Sequence, residues 1–290
     1  MPEGDTVWRT AHRLDQALGR QPIQSAEIRW GQVATPNLIG RTTLEVVSRG
    51  KHILHRIEGG VTVHTHLRME GQWRIVATPE VSAGLLARRD LRILVSAPEW
   101  TGLGLRLGML DVVETRQEAT LVGHLGPDVL GPDWDLAAAL ARLRREPGRP
   151  LVDCLLDQRN LAGIGTMYAA ETLFLERLWP WTPVGELTEA RLSAVVERAH
   201  RLLDHNKAHA VQSTTGRRGR GETAYVHGRS GLPCRRCGHV IRVANSEIAP
   251  QQRVVFSCPD CQGGLGPGDD GAAQSPLGTG TRVRSGYRRR

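Results

Sequence analysis

Three groups of residues in this chain of 290 have types and spacing suited to chemistry. The first is Pro2-Glu3. Removal of Met1 would leave Pro2 with a free secondary amine, and an α-amino group of ordinary pKa, about 8, is partly neutral and nucleophilic near pH 7. Such an amine attacking an aldehyde-level carbon gives an iminium, an electron sink that permits elimination beside that carbon. Glu3 stands next to it as an acid or base. The second group is Ser48-Arg49-Gly50-Lys51, basic side chains beside a glycine, which a solvated turn would also explain. The third is Cys234-x2-Cys237 and Cys258-x2-Cys261, the spacing of a four-cysteine zinc site. Each pair presents two thiolates from one turn, and two turns complete a tetrahedron. Four thiolates leave no open position, so the metal, one structural Zn2+, would fold a small module with a binding free energy of about 10 kcal/mol or more. Arg253 would project from that platform, either toward a ligand or into solvent.

The elements that position these groups are readable in outline. Val7, Ala11, Leu14 and Leu18 fall at helical spacing, with Asp5 or Thr6 as cap and Gly19 as stop, so a helix anchors the N-terminus. Residues 23–115 read as β: Leu44–Val47, His52–Ile57, Val61–Leu67, Trp73–Ala77, Leu91–Ser96 and Met109–Glu114 alternate or run apolar between turns, which predicts a sandwich or barrel. Leu67-Arg68-Met69-Glu70-Gly71 puts an apolar tip between charges. A Met there is a packing residue, or a wedge of the kind DNA-kinking proteins insert between bases. Turn chemistry at 117–132 marks a linker. Helices follow at Leu136–Leu143, on both sides of Gln158–Thr166, and after Thr188. In Gln158-Arg159-Asn160-Leu161-Ala162-Gly163-Ile164-Gly165-Thr166, the glycines permit close approach of backbone, Thr166 is a candidate N-cap, and the bare amides of the second helix suit an anion such as a phosphate. An ordinary connection between packed helices is the alternative. Residues 205–224 are polar, basic and glycine-rich, and the stretch after Gln262 reads as a disordered tail.

Composition narrows the class. Hydrophobic content of 40% supports a core, and no apolar run approaches the ~20 residues of a membrane span. No signal peptide is recognisable, so a cytoplasmic location is expected. The net charge of +8 is uneven: residues 207–290 carry 14 Lys and Arg against 5 Asp and Glu. A basic C-terminal third suggests a polyanionic partner. Nothing reads as a coiled coil or dimer face, so a monomer is expected.

Taken together, these pieces resemble the formamidopyrimidine-DNA glycosylase/endonuclease VIII family from Pro2 to Gln262. The motifs are Pro2-Glu3-Gly4, Arg49-Gly50-Lys51, His66-Leu67-Arg68-Met69-Glu70-Gly71, Gly126-Pro127-Asp128-Val129-Leu130, the Asp157–Glu171 helix–two-turn–helix, and Tyr225-Val226-His227-Gly228-Arg229 leading into Cys-Pro-Asp-Cys-Gln at 258–262. The resemblance implies an α+β multidomain chain. A catalytic N-terminal β-sandwich with an N-terminal helix spans 1–118, and a linker spans 119–133. A helix–two-turn–helix domain (134–224), a β-hairpin zinc finger (225–262) and a disordered tail (263–290) follow. It implies a bifunctional DNA glycosylase/AP lyase of base excision repair, in a bacterium and on nucleoid DNA. Pro2 would attack C1′, Glu3 would assist opening of the deoxyribose, and Lys51 would serve β-elimination. Arg253 would hold the lesion phosphates and take part in δ-elimination. Arg68, Met69, His124, Asn160, Gly165 and Thr166 would contact damaged DNA, duplex or locally single-stranded, from which the target base must be everted. Thr166 replaces the family's Asn, His124 an Arg, and Gln252-Arg253 a Gly-Arg. Pro-Glu-Gly at the start and a short loop before the finger favour the endonuclease VIII branch and oxidised pyrimidines. The alternatives are a purine-directed enzyme of the same fold and a catalytically silent zinc-containing DNA-binding protein.

Overall fold

The computed structural model describes residues 2–31, 36–246 and 253–274. Helix α1 (Gly4–Leu18) buries Val7, Ala11, Leu14 and Leu18, the stripe read from the sequence. It starts at Gly4 with Glu3 in the cap position, ahead of the expected Asp5 or Thr6; the Asp5 carboxylate is used elsewhere, by Tyr168 and Gln212. The strands β1 (Ser25–Ile28), β2 (Thr43–Arg49), β3 (His52–Ile57), β4 (Val61–His66) and β5 (Gln72–Ala77) follow, then the short helix α2 (Ala83–Leu86). Strands β6 (Leu91–Ser96), β7 (Trp100–Leu105) and β8 (Met109–Glu114) complete two antiparallel sheets, ordered β1-β6-β7-β5 and β2-β3-β4-β8. A sandwich therefore forms, with α1 packed into its core beside Val46, Ile53, Val63, Ile93 and Leu110. Gly102 on β7 makes room for the helix: a Cβ there would sit 3.2 Å from both Leu14 Cδ2 and Leu18 Cδ1.

The connection after β8 is not slack. Helix α3 (Ala119–Val122) leads into residues 125–129, which are buried. Ala162 donates to Pro127 O and Val129 to Ala162 O, at 2.9 and 3.0 Å, so the linker is stitched to the two-turn segment. Helices α4 (Leu136–Leu143), α5 (Leu151–Leu156), α6 (Thr166–Leu175) and α7 (Glu189–Asn206) build a second core with Val129, Trp181 and Val184. Asp135 and Thr188 cap α4 and α7 through their side chains.

Helix α6 is apolar on nearly every side, the pattern of a helix buried all round. Tyr168, Ala169 and Leu173 face the helical core, while Ala170 and Phe174 face the third core, with Val226, Ile241, Phe256, Cys234 and Cys258. That module is the antiparallel hairpin of β9 (Arg242–Ser246) and β10 (Arg253–Ser257), followed by α8 (Pro259–Gln262). Residues 247–252, including Gln252, lie outside the described residues.

Residues 263–274 belong to the expected disordered tail, yet they fold back on the hairpin. Asp269 pairs with Arg242, both Val243 backbone groups bond the Gln274 amide at 2.9 Å, and Trp179 Nε1 donates to Leu265 O. A composition rule sees only polar, Gly-rich residues there, while the outer edge of β9 offers unpaired backbone groups that this segment satisfies.

Candidate active site

The site is assembled at the N-terminus of α6. Its first turn exposes amides that need acceptors, and Glu3 supplies them. The Glu3 carboxylate accepts from Gly165 N and Met167 N at 2.8 Å and from Tyr168 N at 3.4 Å. Glu3 is fully buried. The anion held by this helix end is therefore the chain's own carboxylate, where the sequence reading had a phosphate, and Gly165 rather than Thr166 occupies the cap position. Gly165 must lack a side chain, since a Cβ would fall 2.4 Å from Glu3 Cδ. Gly4 N donates to Gly163 O at 2.9 Å, which pins the start of α1 to the same turn. Gly163 adopts φ +110°, open to glycine alone without strain. Gln158 shapes the turn from inside, accepting from Gly163 N at 3.0 Å and donating to Ile164 O at 2.8 Å.

Lys51 reaches this turn from the β2–β3 hairpin, donating to Ile164 O at 2.7 Å. Burial brings its ammonium down to about 8; Glu3 and Asp5 oppose the shift, and the positive charge of Arg253 adds to it. That influence puts Arg253, the first residue of β10, within electrostatic reach of Lys51. Gly50 lies at φ +58° against Ala162 and donates to Asp128 Oδ2 at 2.7 Å. Pro2 lines an adjoining cleft of about 370 Å³ between α1 and β5. Pro2, Glu3, Lys51 and Arg253, spread over 252 positions of sequence, thus converge on one region.

The supporting groups were not read from the sequence. Asp5 accepts from the Tyr168 hydroxyl at 2.9 Å and from Gln212 at 2.7 Å, and burial pushes its carboxyl up. Burial, then Asp5, also pushes the Tyr168 phenol up. Glu171, fully buried on α6, accepts from Tyr225 N, Val226 N and His227 N at 2.7–2.8 Å and from the Thr214 hydroxyl. One carboxylate thereby ties the approach to the finger, and the polar, glycine-rich 205–224 stretch, to the helical core. A buried acid within an apolar helix is the signal that could have exposed it.

The other candidate residues lie around this region. Thr166 is buried in the first turn of α6. Asn160 donates its amide to Cys154 O at 3.2 Å. Arg68 holds φ +54° at the tip of the β4–β5 turn, and Met69 beside it is 66% exposed, an unsupported apolar tip. His124 sits 6.5 Å, ring to ring, from His52, which stacks on His64 and meets His66 edge-on. His64 Nδ1 lies 2.9 Å from Asp111 Oδ2, and its Nε2 lies 2.7 Å from His52 Nδ1, so the three groups form one hydrogen-bonded chain. Burial and the neighbouring positive charges push His52 down to about 3 and His66 to about 4.

The four cysteines meet as expected. Their ligand atoms all lie within 4.8 Å of one another, with Cys237–Cys258 at 3.4 Å and Cys234–Cys261 at 3.9 Å. A tetrahedral ion with ~2.3 Å metal–sulfur bonds needs sulfurs about 3.8 Å apart, so the set fits a metal. Among the described residues no helix is long and apolar enough to cross a membrane.

A sandwich and a helix–two-turn–helix domain meeting over Glu3, with a cysteine-built hairpin delivering Arg253, define a DNA glycosylase scaffold. The comparisons agree. Residues 1–101 match the formamidopyrimidine-DNA glycosylase N-terminal domain and residues 125–217 the formamidopyrimidine-DNA glycosylase H2TH domain. A probable endonuclease 8 2 of Streptomyces coelicolor is 46% identical over 92% of this chain and 96% of its own. The DNA-(apurinic or apyrimidinic site) lyase Nei2 of Mycolicibacterium smegmatis is 39% identical over 90% and 99%. The Lactococcus lactis Fpg in complex with abasic-site DNA shares the fold, with a TM-score of 0.73 at 22% identity, over 90% of this chain and all of that one. The chain belongs to the formamidopyrimidine-DNA glycosylase/endonuclease VIII family and is a DNA glycosylase/AP lyase.

Proposed function

We propose that this enzyme excises oxidised pyrimidines from damaged double-stranded DNA and then cuts the strand by β,δ-elimination through a covalent Pro2 intermediate. The convergence of Glu3, Lys51 and Arg253 on the α6 N-terminus beside Pro2 carries the reading. With Met1 removed, the Pro2 nitrogen attacks C1′ of the everted nucleotide and the base departs with a proton. Glu3, fixed by three amides, assists opening of the sugar ring. The resulting iminium acidifies C2′. Lys51, with its pKa brought down to about 8, is neutral often enough near pH 7.5 to take the C2′ proton, and the 3′ phosphate leaves. Arg253 then holds the 5′ phosphate as the second elimination proceeds, leaving a one-nucleotide gap flanked by phosphates. No metal or water nucleophile is required at the bond that breaks. Zn2+ in the four-cysteine site would lock the hairpin that carries Arg253. Arg68, Met69, His124, Asn160, Gly165 and Thr166 line the DNA approach in this reading. Thr166 and Gly165 act through the turn they form, and Met69 acts as the wedge that fills the vacated stack.

Borohydride trapping tests the chemistry. The wild-type chain should form a covalent adduct with abasic and thymine-glycol duplexes, and Pro2→Gly or an N-terminal extension should abolish it. Absence of an adduct on abasic, thymine-glycol and oxidised-guanine duplexes alike sinks the proposal. Relative excision of thymine glycol and oxidised guanine decides the substrate class. The start Pro2-Glu3-Gly4 favours the pyrimidine, and the endonuclease 8 2 and Nei2 relatives support the endonuclease VIII branch.

A further inference from the structure

The face of α1 opposite its buried stripe has a composition that the covalent chemistry does not use. Thr6, Arg9, Thr10 and Arg13 are spaced i, i+3, i+4 and i+7, which places them on one side of the helix. With Pro2 they line the cleft of about 370 Å³, whose far wall is Leu67, Gln72, Trp73, Arg74 and Ile75 from the β4–β5 turn and β5. Several arginines among the described residues pair with carboxylates; Arg20, Arg29, Arg56, Arg149, Arg159 and Arg242 are examples. Among the described residues Arg9, Arg13 and Arg74 have no ion pair and no hydrogen bond; the Arg9 charge is felt by Tyr168 and His209, and its Nη1 is shut off from solvent, hence from the cleft, without an acceptor, which leaves the other nitrogens of its guanidinium for the lining. The Thr10 hydroxyl proton is committed to Thr6 O at 2.7 Å. The lining is therefore rich in uncommitted donors, with Trp73 and Ile75, both half-buried, as an apolar wall.

We infer that Arg9 is a specificity-determining residue that reads carbonyl oxygens of the everted base. The inference rests on the Proposed function, because the base is joined directly to the C1′ atom that Pro2 attacks and must lie in a cleft that Pro2 borders. A donor-rich cleft selects rings that present carbonyl oxygens, such as the O2 and O4 edges of a saturated or oxidised pyrimidine. It disfavours adenine, whose exocyclic amine would meet guanidinium donors. Arg9 is half-buried and the nearest of the three arginines in sequence to Pro2, whereas Arg13 and Arg74 are exposed at the rim.

The experiment uses the full chain carrying Arg9→Met, which keeps the apolar length, and Arg9→Lys, which keeps the charge without the planar fork. Single-turnover rates are measured on duplexes containing dihydrouracil, thymine glycol or an abasic site. The abasic substrate has no base to read. Arg9→Met should slow base excision by about 10- to 100-fold, the loss expected when a donor to a bound polar group is removed. Its nicking of abasic DNA should stay within about twofold of wild type, and Arg9→Lys should recover only part of the loss. An equal loss on all three substrates means that Arg9 serves the fold or a phosphate, and overturns the inference. Unchanged excision of both base lesions also overturns it. Failure of the wild type to nick and trap on abasic DNA is the separate outcome that defeats the underlying functional reading.

Discussion

Gly165→Ala isolates the contact on which the site is built. Gly165 lies at φ −123°, ψ −166°, extended backbone that alanine adopts without strain, so the substitution changes sterics alone. The added Cβ would fall 2.4 Å from Glu3 Cδ and 2.6 Å from Glu3 Oε1. Carbon atoms pack at about 3.5 Å or more, so Glu3 or the first turn of α6 must move by roughly 1 Å. The amides of Gly165 and Met167, which donate to Glu3 at 2.8 Å, would lose their acceptor. Each orphaned buried donor costs about 1–3 kcal/mol, so stability should fall by roughly 2–6 kcal/mol. A 1 Å displacement of a positioning group costs on the order of 100-fold in rate. Denaturant melts and single-turnover nicking of an abasic duplex at saturating enzyme measure the two effects. Gly148→Ala, where a Cβ meets nothing within 4 Å, is the matched control and should change neither. A folded Gly165→Ala enzyme that nicks within about twofold of wild type would refute the claim that the amide-held position of Glu3 matters to the reaction.

Other outcomes are expected. Strand nicking should rise with pH through about 8 as Lys51 loses its proton, and Lys51→Arg, which stays charged, should flatten that profile. The folded pKa of Lys51 lies below the unfolded value of about 10.4, so unfolding takes up a proton between about pH 8 and 10 and wild-type stability should rise with pH across that window. A pH-independent stability difference between wild type and Lys51→Met across it would contradict the burial argument. Elemental analysis should give one zinc per chain; Cys258→Ser should lower that content and the abasic-DNA nicking rate together, while nicking at full rate by metal-free protein would detach the hairpin from function. Asp269→Asn should free residues 263–274 from Arg242 and make them the first site of limited proteolysis, with unchanged cleavage kinetics counting against a docked segment.

The sequence carried the parts of this molecule whose determinants are local. Alternation located β3, β4 and β8 within a residue or two, and the Val7, Ala11, Leu14, Leu18 stripe located α1, because burial on one face imposes those periods. Strand β7 was missed because Gly102 and Gly104 lower its β signal; they are there so that Leu14, Leu18, Ile93 and Leu107 can pack against bare backbone. Pro2, Glu3, Lys51, Arg253 and the cysteines were legible as residue types, but the partners that hold them were not. Asp5, Asp128 and Glu171 each satisfy groups distant in sequence, and no local rule announces such a pairing. The most instructive case is the α6 N-terminus. Glycines and free amides correctly signal an anion there, and local capping rules then offer Thr166 or an external phosphate. The anion proves to be Glu3, brought by the hydrogen bond between Gly4 and Gly163. That exchange has a consequence for DNA binding. With the Gly165, Met167 and Tyr168 amides taken by Glu3, the proposed function assigns a phosphate near this turn to side chains such as Lys51 and Arg253, and the helix contributes by fixing the Glu3 carboxylate beside it.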